Sequence, residues 1–160
     1  MLLSGGKDGD IHELDRDGMC SKRKWSYNSL VRAIDCSAHG MLIGLRNGTI
    51  IKQNGDDKQE IMHSHNEGEV WGLAEIDGKV LTSGDDNQVI IWDPQKRKRE
   101  CAYIVSNENV KAKRGGASTL SNLPASQQSR CVAVGRHYTA VAGNDGTVTI
   151  RKNADLANPC

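Results

Sequence analysis

The chain has 160 residues, and its 21 lysine and arginine residues nearly balance 20 aspartate and glutamate residues, for a formal net charge of +1. Both signs of charge are well mixed, which argues against a dedicated nucleic-acid binder. No apolar run approaches the roughly 18–20 residues of a transmembrane helix, so we expect neither a nucleic-acid nor a membrane partner. The five cysteines are widely spaced without a Cys-x-x-Cys pair, which is typical of free thiols in a reducing compartment.

The first predicted unit, residues 2–27, contains the strands LLSGG and DIHELD and an outer strand within CSKRKWSY. That outer strand carries the basic residues Lys22, Arg23 and Lys24. Cations on an edge strand hinder unwanted pairing, so we interpret the run first as edge protection. Contact with an acidic partner is the alternative.

The second unit, residues 31–63, begins with the alternating inner strand VRAIDC and contains a hairpin through Arg46, Asn47 and Gly48. The third unit, residues 65–106, is the best formed, with the predicted strands VWGLAEI, KVLTSG, QVIIWD and ECAYIVS. A second basic run precedes its last strand and consists of Lys96, Arg97, Lys98 and Arg99. We interpret this run as a solvated turn, again with an acidic partner as the alternative.

Residues 107–129 are rich in Asn, Lys, Gly, Ser and Gln, and predict a long polar loop that includes Lys111, Lys113 and Arg114. Loops of this length are uncommon and tend to be functional or disordered. Its three cations are further candidates for contact with an acidic partner. Residues 130–152 predict part of a fourth unit, and the tail 153–160 has no strand pattern.

A repeated segment organises the chain: an apolar run, a polar turn and a second β-rich run. The copies are LSGGKDGDI, LIGLRNGTI, LTSGDDNQV and VAGNDGTV, and their equivalent turn residues are Gly9, Gly48, Asn87 and Gly146, spaced by 39, 39 and 59 residues. We predict a positive φ at all four, because Gly and Asn tolerate it most easily in a tight hairpin.

A repeat near 40 residues, with one copy closed by Trp92 and Asp93, is typical of WD40 propeller blades. A closed ring needs roughly four to eight blades. The predicted fold class is therefore all-β: a partial WD40 β-propeller, with about three and a half four-stranded antiparallel blades of a longer propeller. We expect the remaining blades of the parent protein to pack against these.

In well-formed WD repeats, a histidine, a hydroxyl residue, an aspartate and a tryptophan form a hydrogen-bonded chain within the blade. The candidates are His65, Ser83 (or Thr82), Asp86 and Trp92. A Ser/His/Asp set also suits a hydrolase, but the chain has no Gly-x-Ser-x-Gly elbow. Nothing nearby completes a zinc site with the pair His63 and His65. We expect no catalytic residue, cofactor or metal, and therefore no enzyme.

Several motifs resemble the echinoderm microtubule-associated protein-like (EMAP-like) WD proteins. The most specific is the Trp-Gly-Leu strand in 70–74, followed by LTSGDD and the Trp-Asp pair. The segments LSGGKD, VRAI and NDGTV are similar to other parts of the family pattern, in the right order. The resemblance spans roughly residues 2–152.

This resemblance implies a tandem pair of propellers in a longer protein that binds microtubules. It also implies a cytoplasmic, cytoskeletal location and, as for many protist and ciliary members, a place on the doublets of the axoneme. The expected function is a non-enzymatic scaffold whose partners are tubulin and other axonemal or cytoskeletal proteins. A generic cytosolic WD40 adaptor in another complex is the alternative, since a fold does not fix a function.

Overall fold

The computed structural model describes residues 2–37, 40–65, 69–104 and 129–157. Within these ranges the chain consists of short strands and one short helix. The strands are β1 (Leu2–Gly5), β2 (Asp10–Leu14), β3 (Ser21–Ser26), β4 (Val31–Ser37), β5 (Gly40–Leu45), β6 (Thr49–Asn54), β7 (Asp57–His63), β8 (Val70–Ile76), β9 (Lys79–Gly84), β10 (Gln88–Asp93), β11 (Lys98–Ile104), β12 (Ser129–Val134), β13 (Tyr138–Gly143) and β14 (Val148–Lys152), and the helix α1 is Asn153–Ala157.

These strands form four antiparallel sheets in which sequential strands are neighbours. The sheets are β1–β3, β4–β7, β8–β11 and β12–β14, with three, four, four and three strands. The all-β class predicted from the sequence is confirmed. Helix α1 occupies part of the tail in which the sequence shows no strand pattern. Residues 107–128 of the predicted loop lie outside the described residues, and so do Lys111, Lys113 and Arg114.

The turn after the first strand of each repeated segment has the predicted backbone conformation. The φ angles are +83° at Gly9, +84° at Gly48, +58° at Asn87 and +81° at Gly146. The side chain of each hairpin's acidic or amide residue supports the turn, as where Asp145 accepts from the backbone N–H of Thr147 at 3.0 Å. The prediction of a positive φ at all four positions is confirmed.

Successive sheets pack face to face, and each interface buries its own apolar cluster. Ile11 of the first sheet packs with Ile43 of the second, and Ile50 of the second packs with Leu73 of the third. Another cluster joins Leu81 and its neighbours in the third sheet to Val132 and Val141 of the fourth. Burial of each apolar side chain of this size contributes about 1.5–3 kcal/mol to the free energy of folding. Each sheet is therefore stabilised by the sheet that follows it along the chain.

Gly72 allows the third and fourth sheets to approach closely. A Cβ added there would lie 2.6 Å from the backbone nitrogen of Val132 and 3.0 Å from the carbonyl carbon of Cys131. Leu73 beside it is buried. The Trp-Gly-Leu motif therefore has a packing reason for its last two positions.

No helix in the described ranges is long and apolar enough to cross a membrane.

Candidate functional site: a buried hydrogen-bond chain and an arginine–tryptophan rim

A chain of three hydrogen bonds fastens the segment before β8 to the hairpin of β9 and β10. Thr82 Oγ1 lies 2.8 Å from Trp92 Nε1 and 3.0 Å from His65 Nε2. The other ring nitrogen of His65, Nδ1, lies 2.7 Å from Asp86 Oδ1. The side chain of His65 and the whole of Thr82 are 0% exposed. These hydrogen bonds therefore join three segments: the one before β8, strand β9 with the turn that follows it, and strand β10.

With a neutral imidazole, the end groups fix the direction of these bonds. An indole N–H only donates, and an ionised carboxylate only accepts. Trp92 therefore donates to the Thr82 oxygen, and the Thr82 hydroxyl donates to His65 Nε2. His65 then donates from Nδ1 to Asp86. With a neutral imidazole, every polar hydrogen in the chain has an acceptor, so burial leaves none of these donors unpaired.

The sequence analysis favoured Ser83 as the hydroxyl residue of this hydrogen-bond chain. The hydroxyl that contacts His65 and Trp92 is instead that of Thr82. Alternate residues of a strand point to opposite faces of the sheet. Thr82 pairs with Ile90, two residues before Trp92, so Thr82 and Trp92 share a face. Ser83 points to the other face, where its buried Oγ has no hydrogen-bond partner among the described residues. The pairing register therefore corrects the assignment from Ser83 to Thr82.

Two local features position the imidazole of His65. Its backbone has a φ of +59°, in the left-handed region that non-glycine residues rarely adopt. Gly84 supplies the space, because a Cβ at that position would lie 2.8 Å from the His65 ring. The glycine of the Thr-Ser-Gly-Asp-Asp run is thus required by the same histidine that the run binds.

A second arrangement, which the sequence analysis missed, arises from three β-bulges. The inner strands β4, β8 and β12 each skip their second residue in the pairing with the next strand. The skipped residues are Arg32, Trp71 and Arg130. A bulge re-aims the side chain that it carries, and these bulges lie at the same end of three neighbouring sheets.

Both guanidinium groups lie over the ring of Trp71. The Cζ atoms of Arg32 and Arg130 are 4.7 Å and 4.3 Å from its ring centroid, within the range of a cation–π interaction. The indole Nε1 donates to Asp85 Oδ1 at 2.7 Å, and Arg130 Nη1 donates to the same oxygen at 3.0 Å. Residues of three sheets are thus joined around one indole ring.

Glu69, just before β8, connects two arginines to this group. It forms an ion pair with Arg32, and its Oε1 lies 2.9 Å from Nε of Arg46. Its backbone N–H donates to Asp85 Oδ2 at 3.0 Å. We call the set the Arg–Trp rim: Arg32, Arg46, Glu69, Trp71, Asp85 and Arg130.

The sequence carries a signal for this rim in its spacing. Arg32, Trp71 and Arg130 are 39 and 59 residues apart, which are the intervals of the repeated turn residues. A comparison of the second residues of the inner strands, in addition to the turns, places the three side chains in equivalent positions. Spacing alone does not reveal the bulges, since these depend on the pairing register.

The first basic run, Lys22 to Lys24, is held by carboxylates of the protein itself. Lys22 Nζ lies 3.7 Å from Asp15, and Lys24 Nζ lies 2.6 Å from Asp10. The hydrogen bond with Asp10 raises the pKa of Lys24, and the same bond lowers the pKa of Asp10.

Arg23, in the middle of this run, connects two sheets. It pairs with Asp56 in the turn between β6 and β7 and stacks on Trp25. The indole Nε1 of Trp25 donates to the carbonyl of Gly55 in the same turn at 3.0 Å. The run therefore helps to fasten the first sheet to the second.

The second basic run behaves similarly at its start. Lys96 Nζ lies 2.9 Å from Asp93, and this bond raises the pKa of Lys96. Arg97 donates to the carbonyl of Glu60 on β7 at 2.9 Å, which joins the second and third sheets. Lys98 and Arg99 are exposed at the start of β11. Both basic runs therefore contain residues that pair with acidic side chains or backbone carbonyls of the protein itself.

Two groups of potential metal ligands are already engaged by other side chains. His63 Nδ1 lies 3.3 Å from Thr49 Oγ1. Asp8, Asp10 and His12 have ligand atoms within 4.8 Å of one another. However, Asp10 pairs with Lys24, and His12 Nδ1 lies 2.9 Å from a serine hydroxyl. Neither group gives a reason to propose a bound ion.

Comparison with known proteins gives a ciliary relative and a fold. No family model matches the chain. The chain is similar to a ciliary WD repeat-containing protein, ctxp80, of Euplotoides octocarinatus, with 41% identity over 155 residues. This alignment covers 94% of the chain but only 22% of the relative, so the chain spans about a fifth of that protein.

The solved structures to which the chain is similar include a chain of the mitotic checkpoint complex (TM-score 0.67, 19% identity, 95% of this chain and 44% of that chain). U3-55K gives a TM-score of 0.68 at 17% identity, with 96% of this chain and 45% of that chain covered. The computationally designed Ika4 protein gives 0.64 at 17% identity, with coverages of 94% and 83%. These neighbours are WD40 propellers, and the predicted fold, a partial WD40 β-propeller, is confirmed.

Proposed function

We propose that this chain is part of a non-enzymatic WD-repeat scaffold of cilia that binds microtubules. The observation that carries the proposal is the 41% identity to a ciliary WD repeat-containing protein over 94% of the chain. The resemblance to EMAP-like proteins, centred on Trp71, Gly72 and Leu73, supports the extension to tubulin and other axonemal or cytoskeletal partners. The corresponding location is the cytoskeleton of the cytoplasm and the axoneme.

We infer that the scaffold includes the end of a first blade in residues 2–27, a second blade in 31–63, a third in 65–106 and part of a fourth in 130–152. Among the described residues, the last sheet presents two exposed apolar side chains on one strand. Val148 and Ile150 are 63% and 66% exposed, whereas their counterparts Val89 and Ile91 are 0% and 4% exposed. Val89 and Ile91 pack against the sheet of β12–β14. This contrast supports a neighbouring blade of the parent protein that packs on Val148 and Ile150.

A scaffold without catalysis agrees with the state of the candidate nucleophile. A hydrolase needs its serine within hydrogen-bond reach of the histidine. Ser83 lies on the opposite face of β9 from Thr82, which is the residue that His65 contacts. The His65 ring is bonded at both nitrogens inside the sheet, so its role is to fix the blade.

Microtubule cosedimentation tests the proposed partner. The full chain is mixed with stabilised microtubules at low ionic strength, where electrostatic contacts are least screened, and the polymer is pelleted. We expect the chain in the pellet in proportion to the amount of polymer, and release as salt is added. A chain that stays in the supernatant at every polymer concentration contradicts the microtubule proposal.

A generic adaptor in another cytosolic complex is the alternative that the fold alone permits. Affinity purification of the tagged protein from ciliated cells separates the two. Recovery of tubulin and axonemal proteins supports the ciliary scaffold. Recovery of an unrelated complex without tubulin contradicts it.

A further inference from the structure

The Arg–Trp rim presents three equivalent side chains of neighbouring sheets at a single place. Bulges occur preferentially beside functional sites, where they re-aim side chains. Here each bulge carries the second residue of an inner strand, and the result is a stack in which two guanidinium groups contact one indole ring. Because the bulge recurs in β4, β8 and β12, the stack is a property of the repeat.

The rim is held in one conformation before any partner arrives. The ring of Trp71 contacts the guanidinium groups of Arg32 and Arg130, and its Nε1 donates to Asp85. Glu69 binds Asp85 through its backbone and Arg32 and Arg46 through its carboxylate. A partner that docks here has few rotamers to freeze, which reduces the entropic cost of binding.

The charge of the rim favours an anionic partner. Its three arginines face two carboxylates, Glu69 and Asp85, so the formal charge of the set is +1. The side chain of Arg46 is 58% exposed and that of Arg130 is 33% exposed. Tryptophan and arginine are the residues most enriched among interface hot spots, and guanidinium groups bind carboxylates with two parallel hydrogen bonds.

We propose that the Arg–Trp rim docks a glutamate- or aspartate-rich segment of a partner protein. In this site Arg46 and Arg130 donate to partner carboxylates, and Trp71 is the rigid platform that keeps Arg130 in place. The inference rests on the proposed scaffold function and names its contact surface. It differs from the sequence-based expectation, in which Lys22–Lys24 and Lys96–Arg99 meet the acidic partner.

Arg46 is the best position for a test, because its side chain is exposed and Glu69 keeps Arg32 as a partner when Arg46 is changed. The probe is a fluorescently labelled oligoglutamate peptide, and its binding to the full chain is followed by fluorescence anisotropy. The matched control is Arg16→Glu, which makes the same charge change at an exposed turn residue of the first sheet. Lys98→Glu tests the second basic run in the same way.

We expect Arg46→Glu to weaken peptide binding roughly tenfold, as for loss of an interface hot spot. Arg16→Glu and Lys98→Glu should remain within about twofold of the wild type. Circular dichroism verifies that all variants keep the β-sheet spectrum. Equal weakening by all three variants, or an Arg46→Glu variant with wild-type affinity, overturns the proposal. So does a wild-type chain that binds oligoglutamate no better than a neutral glycine–serine peptide.

The same variants separate this inference from the proposed function. If the wild type pellets with microtubules and Arg46→Glu does so equally well, the scaffold proposal stands and the rim proposal fails. If peptide binding depends on Arg46 but the chain never pellets, the rim proposal stands and the microtubule proposal fails.

Discussion

Replacement of Thr82 by valine removes one oxygen from the centre of the buried hydrogen-bond chain with almost no change of shape. The hydroxyl accepts from Trp92 at 2.8 Å and contacts His65 Nε2 at 3.0 Å. In Thr82→Val both groups lose their partner. Thr82 and the His65 side chain are 0% exposed, so water cannot reach the imidazole without opening the sheet.

The expected loss follows from the two groups left behind. A buried polar group deprived of its partner costs about 1–3 kcal/mol. Trp92 is only partly buried, so its N–H recovers some solvation and the cost lies near the lower end. The sum is about 2–4 kcal/mol, which lowers the Tm by roughly 10 °C for a chain of this size.

Thermal unfolding of the full chain, followed by circular dichroism, measures this loss, and the adjacent residue supplies the control. Ser83→Ala removes a hydroxyl that has no hydrogen-bond partner among the described residues. We expect that change to alter the free energy of unfolding by less than about 1 kcal/mol. If Ser83→Ala is less stable than Thr82→Val, Thr82 is not the hydroxyl residue of the buried hydrogen-bond chain.

Three further changes test other parts of the structure. Gly72→Ala forces a methyl group against the backbone of the fourth sheet, and urea unfolding should show a loss of about 1–3 kcal/mol; an unchanged midpoint contradicts the close approach. Burial raises the pKa of Tyr27 to about 12, so the fold retains that proton above the unfolded value of about 10. The free energy of unfolding should therefore fall as pH rises from about 10 to about 12, and Tyr27→Phe should remove the contribution of Tyr27 to this fall. If Tyr27→Phe and the wild type show the same pH profile, the buried-tyrosine explanation is contradicted. Ile150→Thr changes a side chain that is 66% exposed and should leave the Tm of this chain within about 2 °C, whereas a larger fall shows that the face is already covered.

Much of the fold could be predicted from the sequence, because strand and turn signals are local. Gly9, Gly48, Asn87 and Gly146 mark hairpins whose positive φ only a few residue types tolerate. The spacing of those turns then gives the repeat. Helix α1 was missed, since it is a single short turn of helix after the last strand.

The candidate site was harder to predict, because it depends on register. The alternation of a strand shows that Thr82 and Ser83 face opposite sides, but only the pairing of Thr82 with Ile90 shows which of them meets Trp92. The three bulges are likewise a property of strand pairs. The sequence shows that Arg32 and Trp71 each lie second in a predicted inner strand. It does not show that their side chains stack on each other.

The most direct test of the ciliary proposal is the location of the protein in its own cells. The endogenous protein is tagged, cilia are isolated and extracted with detergent, and the tag is measured in the axonemal and soluble fractions. We predict that the tag remains with the detergent-resistant axoneme and follows the microtubules. A tag confined to the cell body, with none in isolated cilia, contradicts the account.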